Sequence, residues 1–309
     1  MTSPVLFSTK IARIHRLRRL PYPDAAMTSW EIGKGQSLNL WEGILLAVIQ
    51  GLTEFLPVSS SGHLVIAQSF MDGFRQPGVL FDVMLHLGTL LAVSFFLRRE
   101  ILDILVSFVP VGWSRWGFDD ARARRTGRKM ALYIITATIV TGGIGLVFEE
   151  RIHHLFTSAP AASCMLLITG VLLFLSDRFQ GSRVEKDMNI TDSVVIGIVQ
   201  GMALIPGISR SGSTIAFGMF RGLDGPAAVR FSFLLSIPAV LGATVLELRY
   251  VGQISPGDLA IYLTGMVVAA VVGFLTLRLL LFVIRKRRLS IFAYYCWILG
   301  ISTLIINVI

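Results

Sequence analysis

Cysteine is almost missing from this chain: Cys164 and Cys296 are the two among 309 residues, and both lie inside apolar stretches. That excludes a disulfide framework and a cysteine-built zinc site. Charge is also scarce, at 15% of residues, where soluble globular proteins carry about 25%. Too little polar surface is left to cover a water-soluble domain of this length. The third absence is of the signal-peptide pattern, so a cleavable leader is not expected in these residues. Lys10, Arg13, Arg16, Arg18 and Arg19 form a basic run, but Leu20-Pro21-Tyr22-Pro23-Asp24 stands where the apolar stretch should follow. Residues 1–39 therefore read as a basic, disordered extension, or as a product of start-site choice with Met27 as the true beginning.

What is present in quantity is apolar. Hydrophobic residues make up 54% of the chain and mean hydropathy is +0.71, which predicts an all-α polytopic membrane protein. The net charge of +9 then belongs to cytoplasmic loops facing anionic lipid. Nucleic acid is a poor partner, because the arginine clusters flank apolar spans without interleaved aromatics.

Six segments are long enough to cross: 80–97, 130–148, 157–176, 231–246, 259–284 and 289–309. Ile101–Val111 is too short to cross alone, and Glu149–His154 is expected to be a polar loop carrying solvated His153 and His154. Basic clusters at 115–129, 178–186 and 285–288 mark three cytoplasmic loops, with the C-terminus outside. The broken apolar segments near 41–78 and 191–226 must then each enter and leave on one face, as re-entrant helix-break-helix elements from opposite sides. In that scheme residues 40–309 form one integral membrane domain, with repeat halves at about 40–176 and 191–309.

An offset of 150 aligns Gln50-Gly51 with Gln200-Gly201, and Ser59, Ser61 and Gly62 with Ser209, Ser211 and Gly212. Phe81, Leu85 and Leu91 recur as Phe231, Leu235 and Leu241. The charge-derived orientation gives the halves opposite directions, so the repeat is inverted. Broken helices in inverted repeats meet around a midplane site, because irregular backbone at membrane depth needs protein or a water-filled cavity to satisfy it.

Each break carries chemistry. The second reads Pro206-Gly207-Ile208-Ser209-Arg210-Ser211-Gly212-Ser213-Thr214. An arginine among hydroxyls, at a glycine-rich turn opening a helix, suits a multi-oxygen anion, phosphate above all. The plainer reading pairs Arg210 with Glu54 as a structural ion pair. In the first break, Gln50-Gly51-Leu52-Thr53-Glu54-Phe55-Leu56-Pro57-Val58-Ser59-Ser60-Ser61-Gly62-His63, Gln50 and Glu54 share one helical face. They suit a hard divalent cation, Mg²⁺ or Ca²⁺, completed by water and phosphate oxygens; Glu54 serves equally as a general base. His63 follows Ser60 by three residues, within reach of its proton. Ser59 and Ser61 add hydroxyls for the diphosphate. His86, alone on an apolar helix, is expected to be structural.

These two motifs resemble the undecaprenyl-diphosphate phosphatase family, also called bacitracin-resistance proteins, over about residues 40–309. The resemblance implies a multi-pass hydrolase of the bacterial inner membrane that converts undecaprenyl diphosphate to undecaprenyl phosphate and phosphate. Such an enzyme recycles the lipid carrier for peptidoglycan synthesis and lowers bacitracin sensitivity. It also implies divalent-cation dependence, a site opening mainly to the periplasm, and membrane lipids as surroundings; a homodimer is admitted. By position, Gln50 and Glu54 would be the acidic-motif pair, Ser60 and His63 the nucleophile–base pair, and Ser209, Arg210, Ser211 and Thr214 the diphosphate cradle. Gln50 in place of a glutamate weakens any scheme that needs two carboxylates on the metal. The competing function is a lipid-phosphate or organic-anion transporter using the same cavity, which leaves Ser60 and His63 little to do.

Overall fold

A computed structural model describes residues 39–71, 80–109, 121–155, 158–179, 181–247, 256–286 and 288–308. Residues 1–38 of the basic extension and Arg115 of the first basic cluster lie outside the described residues. Eleven α-helices and no strand occur among the described residues. They are α1 (Leu40–Thr53), α2 (Ser60–Ser69), α3 (Leu80–Phe96), α4 (Arg98–Val106), α5 (Ala121–Leu155) and α6 (Ala159–Ser176). A 3₁₀ turn at Glu185–Asp187 leads to α7 (Ile190–Met202), α8 (Arg210–Phe220), α9 (Gly225–Glu247), α10 (Pro256–Arg285) and α11 (Ser290–Val308).

The two broken stretches are built by the same local chemistry. Asn39 accepts from Trp41 N at 3.1 Å while Glu42 returns to Asn39 N at 3.1 Å, and α1 starts there. Asn189 and Asp192 close the same reciprocal pair at 3.0 Å each to start α7. Pro57 and Pro206 fall between the helices of each pair, where a missing N–H and a fixed φ end helical bonding. Ser59 caps α2 by accepting from Gly62 N at 3.3 Å, and Ser209 caps α8 by accepting from Gly212 N at 3.0 Å.

Packing exchanges partners between the halves. α10 lies against α1 and α3, whereas α5 lies against α7 and α9. α6 packs on α11 and touches both short helices, α2 and α8. Approach is close enough that a Cβ at Gly88 would sit 2.1 Å from the Met266 carbonyl oxygen of α10; small residues permit such contact between membrane helices. The outward face is apolar, with Ile139 68%, Val267 56% and Ile298 67% exposed. A water-soluble protein does not tolerate that much exposed aliphatic surface, and hydrocarbon does. Among the described residues five helices are long and apolar enough to cross a membrane, or six when α3 and α4, bent by 72° at Leu97, count as one span.

Several boundaries differ from the sequence expectations. α5 begins at Ala121, so Arg122–Lys129 form its first turns rather than a loop, and it runs on through Leu155, so Glu149–His154 is helical backbone. Apolar content marks where a helix meets hydrocarbon, not where backbone bonding stops, and Arg, Lys and Glu are good helix formers. α9 likewise starts at Gly225, ahead of its apolar stretch from 231. Of the 101–111 piece, residues 101–106 belong to α4, which meets α3 at a 72° bend, and residues 110 and 111 lie outside the described residues.

One end of the bundle gathers the charge. Asp177, ending α6, accepts from Leu289 N at 2.9 Å and Ser290 N at 2.7 Å. Asp192 accepts from Arg183 at 2.6 Å and from Arg221 at 2.8 Å, and Arg230 pairs with Glu185. Arg128 at the start of α5 donates to the Ser107 carbonyl at 2.8 Å.

Candidate active site

The two breaks meet backbone to backbone. A Cβ at Gly62 would lie 3.0 Å from Gly207 Cα, and one at Gly212 would lie 3.1 Å from the Pro57 carbonyl oxygen. Ser211 Oγ donates to the Leu56 carbonyl at 3.4 Å. Thr169 of α6 fastens the second break by donating to the Gly207 carbonyl at 2.9 Å and accepting from Ser209 N at 3.0 Å. The turns need unusual backbone: Gly207 has φ +95°, and Ser59 has φ 69°, a left-handed conformation rare outside glycine. Such strain in a non-glycine residue persists where surrounding contacts over-determine it.

Around this junction lies a cavity of about 280 Å³ lined by residues of both breaks together with α3, α5, α7 and α9. Its polar wall includes Glu54, Ser59, Ser60, Ser61, Ser209, Arg210 and Ser211, with Asp82 and His86 from α3. Leu64, Val65, Val83, Leu204, Ile208 and Val240 form an apolar wall. The α3 residues come from the start of that helix and the α9 residues, Ala239–Thr244, from its last turns. The charged end of the bundle, by contrast, holds the start of α9.

Glu54 is the centre of the polar network. It is 6% exposed, and burial of a carboxylate is tolerated when it is paired and fully hydrogen-bonded. Its Oε1 accepts from Arg210 Nη2 across the two breaks. Its Oε2 accepts from Ser60 Oγ at 2.6 Å and from Gln50 Nε2 at 2.9 Å, and His86 Nε2 stands 3.5 Å away. Arg210 uses one of its five N–H donors on Glu54; its side chain remains 21% exposed on the cavity wall.

Two expectations about histidine are corrected. His63 does not reach Ser60. Its Nδ1 is held at 2.7 Å by the Ser59 carbonyl and its Nε2 at 2.8 Å by the Tyr295 hydroxyl, with the two rings stacked. One helical turn brings His63 back over Ser59, not over Ser60, and the neighbouring α11 captures the far nitrogen. Ser60's hydrogen bond goes to Glu54 instead. His86, expected to be structural, lines the cavity beside Glu54, its Nδ1 donating to the Asp82 carbonyl at 2.7 Å. The sequence signal for it was Asp82 four residues earlier, placing two polar groups on one face of an apolar helix.

The cradle residues divide. Ser209, Arg210 and Ser211 reach the cavity, as do Ser59 and Ser61. Thr214 faces inward, donating to the Arg210 carbonyl at 2.8 Å and sharing a 2.6 Å bond with Ser232. Ser213 is 1% exposed, and neither it nor Thr214 is on the cavity wall. The cause is the helix itself: α8 starts at Arg210, so Thr214 lies a turn on, where it meets Ser232 of α9. Gln50 is fully buried behind Glu54, with its Oε1 unpartnered.

Known proteins share this pattern along almost the whole described region. A sequence profile described as "Bacitracin resistance protein BacA" matches residues 43–302. An undecaprenyl-diphosphatase of Syntrophotalea carbinolica is 42% identical over 264 residues, covering 85% of this chain and 97% of that protein. One of Methanobrevibacter smithii is 40% identical over 268 residues, covering 85% and 96%, and one of Desulfatibacillum aliphaticivorans is 43% identical over 279 residues, covering 86% and 98%. With one profile spanning both breaks and all the helices that line the cavity, the chain belongs to the BacA family of bacitracin resistance proteins.

Proposed function

We propose that this chain hydrolyses undecaprenyl diphosphate to undecaprenyl phosphate and inorganic phosphate, recycling the lipid carrier used in peptidoglycan synthesis. The observation that carries the reading is the hydrogen-bonded line Ser60–Glu54–Arg210, drawn from both breaks and set on one cavity wall. The relatives compared carry the name of that enzyme and not of a transporter.

The chemistry follows from who bonds to whom. Ser60 Oγ donates to Glu54 at 2.6 Å, so the carboxylate is placed to take the hydroxyl proton as Oγ attacks the terminal phosphorus. The new Oγ–P bond forms as the bridging P–O bond breaks, and undecaprenyl phosphate leaves with the bridging oxygen. Water then attacks the same phosphorus, the Oγ–P bond breaks, phosphate departs and Ser60 regains a proton. Arg210 keeps N–H donors for the phosphoryl oxygens while it holds Glu54 in place. Donors fixed before the reaction at positions of developing charge are generally the largest contribution to such catalysis. Ser59, Ser61, Ser209 and Ser211 add hydroxyls on the same wall, and the apolar wall suits the first prenyl units.

A divalent cation, Mg²⁺ or Ca²⁺, belongs to this proposal. Among the described residues no group of three or more His, Cys, Asp or Glu is assembled for a metal. The fitting donors are the Glu54 carboxylate and the buried, unpartnered Gln50 Oε1. Hard oxygen ligands of this kind suit such a cation when phosphate oxygens and water complete the shell. When bound, it would neutralise charge on the diphosphate.

For topology we propose that α1–α2 and α7–α8 are re-entrant pairs entering from opposite faces, within an inverted repeat of six crossings. Support comes from the reciprocal caps at residues 39 and 189, and from the exchange of α5 and α10 between halves. The arginine-rich end of the bundle reads as cytoplasmic. The cavity draws on the opposite ends of α3 and α9, which supports access from the periplasmic side of the inner membrane.

Phosphate release from undecaprenyl diphosphate by the purified protein in detergent tests the function, since no second compartment exists there for transport. Lipid movement across vesicles without any phosphate release would reverse the reading.

A further inference from the structure

Gln200 is the second-half counterpart of Gln50, and nothing said so far gives it a task. It occupies the last turn of α7, is 1% exposed and lines the cavity. Its neighbour decides which way its amide points. Thr141 Oγ1 gives its only proton to the Gly197 carbonyl at 2.9 Å. Toward Gln200 it can therefore only accept, and it takes Nε2 at 3.2 Å. The atom left over is Oε1, buried and without a partner. Gln50 repeats the arrangement, with Nε2 committed to Glu54 at 2.9 Å and Oε1 open.

A carbonyl oxygen only accepts. The ionised oxygens of a diphosphate also only accept, so they do not satisfy it. Two groups in a phosphatase cavity bring an O–H: the water that approaches phosphorus, and the P–OH of a monoprotonated phosphate. Buried polar atoms in native proteins nearly always have a partner, and a carbonyl oxygen takes a hydrogen-bond donor or a cation. Gln200 is bonded to the neutral Thr141 hydroxyl rather than to a carboxylate as Gln50 is, so a donor is the fitting partner. We propose that Gln200, oriented by Thr141, is a further residue of the reaction, its Oε1 accepting the hydrogen bond of that O–H group. The proposal rests on the phosphatase reading given above.

The test uses full-length protein in detergent, phosphate release from undecaprenyl diphosphate, and thermal melting in parallel. Gln200→Met removes the acceptor at similar volume and is expected to lower kcat/KM about 10- to 100-fold, the range for one lost hydrogen bond to a reacting group. A loss confined to kcat identifies water as the donor. A rise in KM, with weaker inhibition by inorganic phosphate but unchanged inhibition by sulfate, identifies the P–OH, since sulfate has no proton to give. Thr141→Val, which leaves the Gln200 amide free to turn, should show a smaller loss of the same kind and carries the test if Gln200→Met does not fold. A glutamine that only packs would lower the melting temperature without moving kcat, KM or the phosphate-to-sulfate ratio. Kinetics within twofold of the parent in a folded variant overturn the proposal and leave the phosphatase reading standing. A parent protein that releases no phosphate overturns that reading itself.

Discussion

Arg210→Lys separates a structural ion pair from a working guanidinium. The substitution keeps the positive charge beside Glu54, whose side chain is 4% exposed, so no buried anion is left without a countercharge and folding is expected to survive. What changes is geometry. The guanidinium bonds Glu54 through one nitrogen and has further N–H groups in a rigid fork for phosphoryl oxygens. A lysine ammonium is a shorter point charge and cannot hold both at once. Losing one or two hydrogen bonds to charged groups, at about 1.5–3 kcal/mol each, predicts a fall in kcat/KM of roughly 10- to 10⁴-fold, with 1.4 kcal/mol per decade. The assay is phosphate release by purified variant and parent in the same detergent, with melting curves to confirm that both are folded. Activity within tenfold of the parent would leave Arg210 as a structural partner of Glu54 and remove it from the reaction.

Ser60→Ala should abolish turnover to about the 10⁻³ level or below and eliminate any trapped phosphorylated protein, whereas His63→Gln should retain most of its kcat and instead melt at a lower temperature, having lost its place between Ser59 and Tyr295. Activity assays with melting curves on both variants check the pair of outcomes. Gly207→Ala should destabilise by about 2–4 kcal/mol, because the residue sits at φ +95° and its Cβ would fall 2.1 Å from the Ala162 carbonyl oxygen; a melting temperature equal to the parent's would contradict the turn geometry. Chelation with EDTA should stop phosphate release and added Mg²⁺ or Ca²⁺ should restore it. Calorimetric titration of the substrate-free protein should detect only weak cation binding, since no group of three or more His, Cys, Asp or Glu is assembled for a metal among the described residues.

Much of this protein was legible in the order of its residues. Apolar runs of spanning length, the basic clusters between them and the recurrence of Gln-Gly and Ser-x-Ser-Gly at an offset of 150 predicted an all-helical membrane protein with two broken segments, as did the resemblance at those motifs. Glu54 and Arg210 could be named because an ionisable side chain in an apolar setting demands a partner, whatever the fold. Local periodicity does not carry the direction in which a side chain leaves its helix relative to a distant neighbour. Only tertiary packing turned His63 toward Tyr295 of α11, brought His86 of α3 beside Glu54, and set Thr214 against Ser232 of α9. It also decided that Ser60 gives its hydrogen bond to a carboxylate six residues before it, and that Thr141 settles which atom of Gln200 is free. The division has one physical cause: transfer of apolar groups out of water is additive along the chain and so can be read from it, whereas a hydrogen bond depends on angle and distance between groups that meet only after the helices have packed.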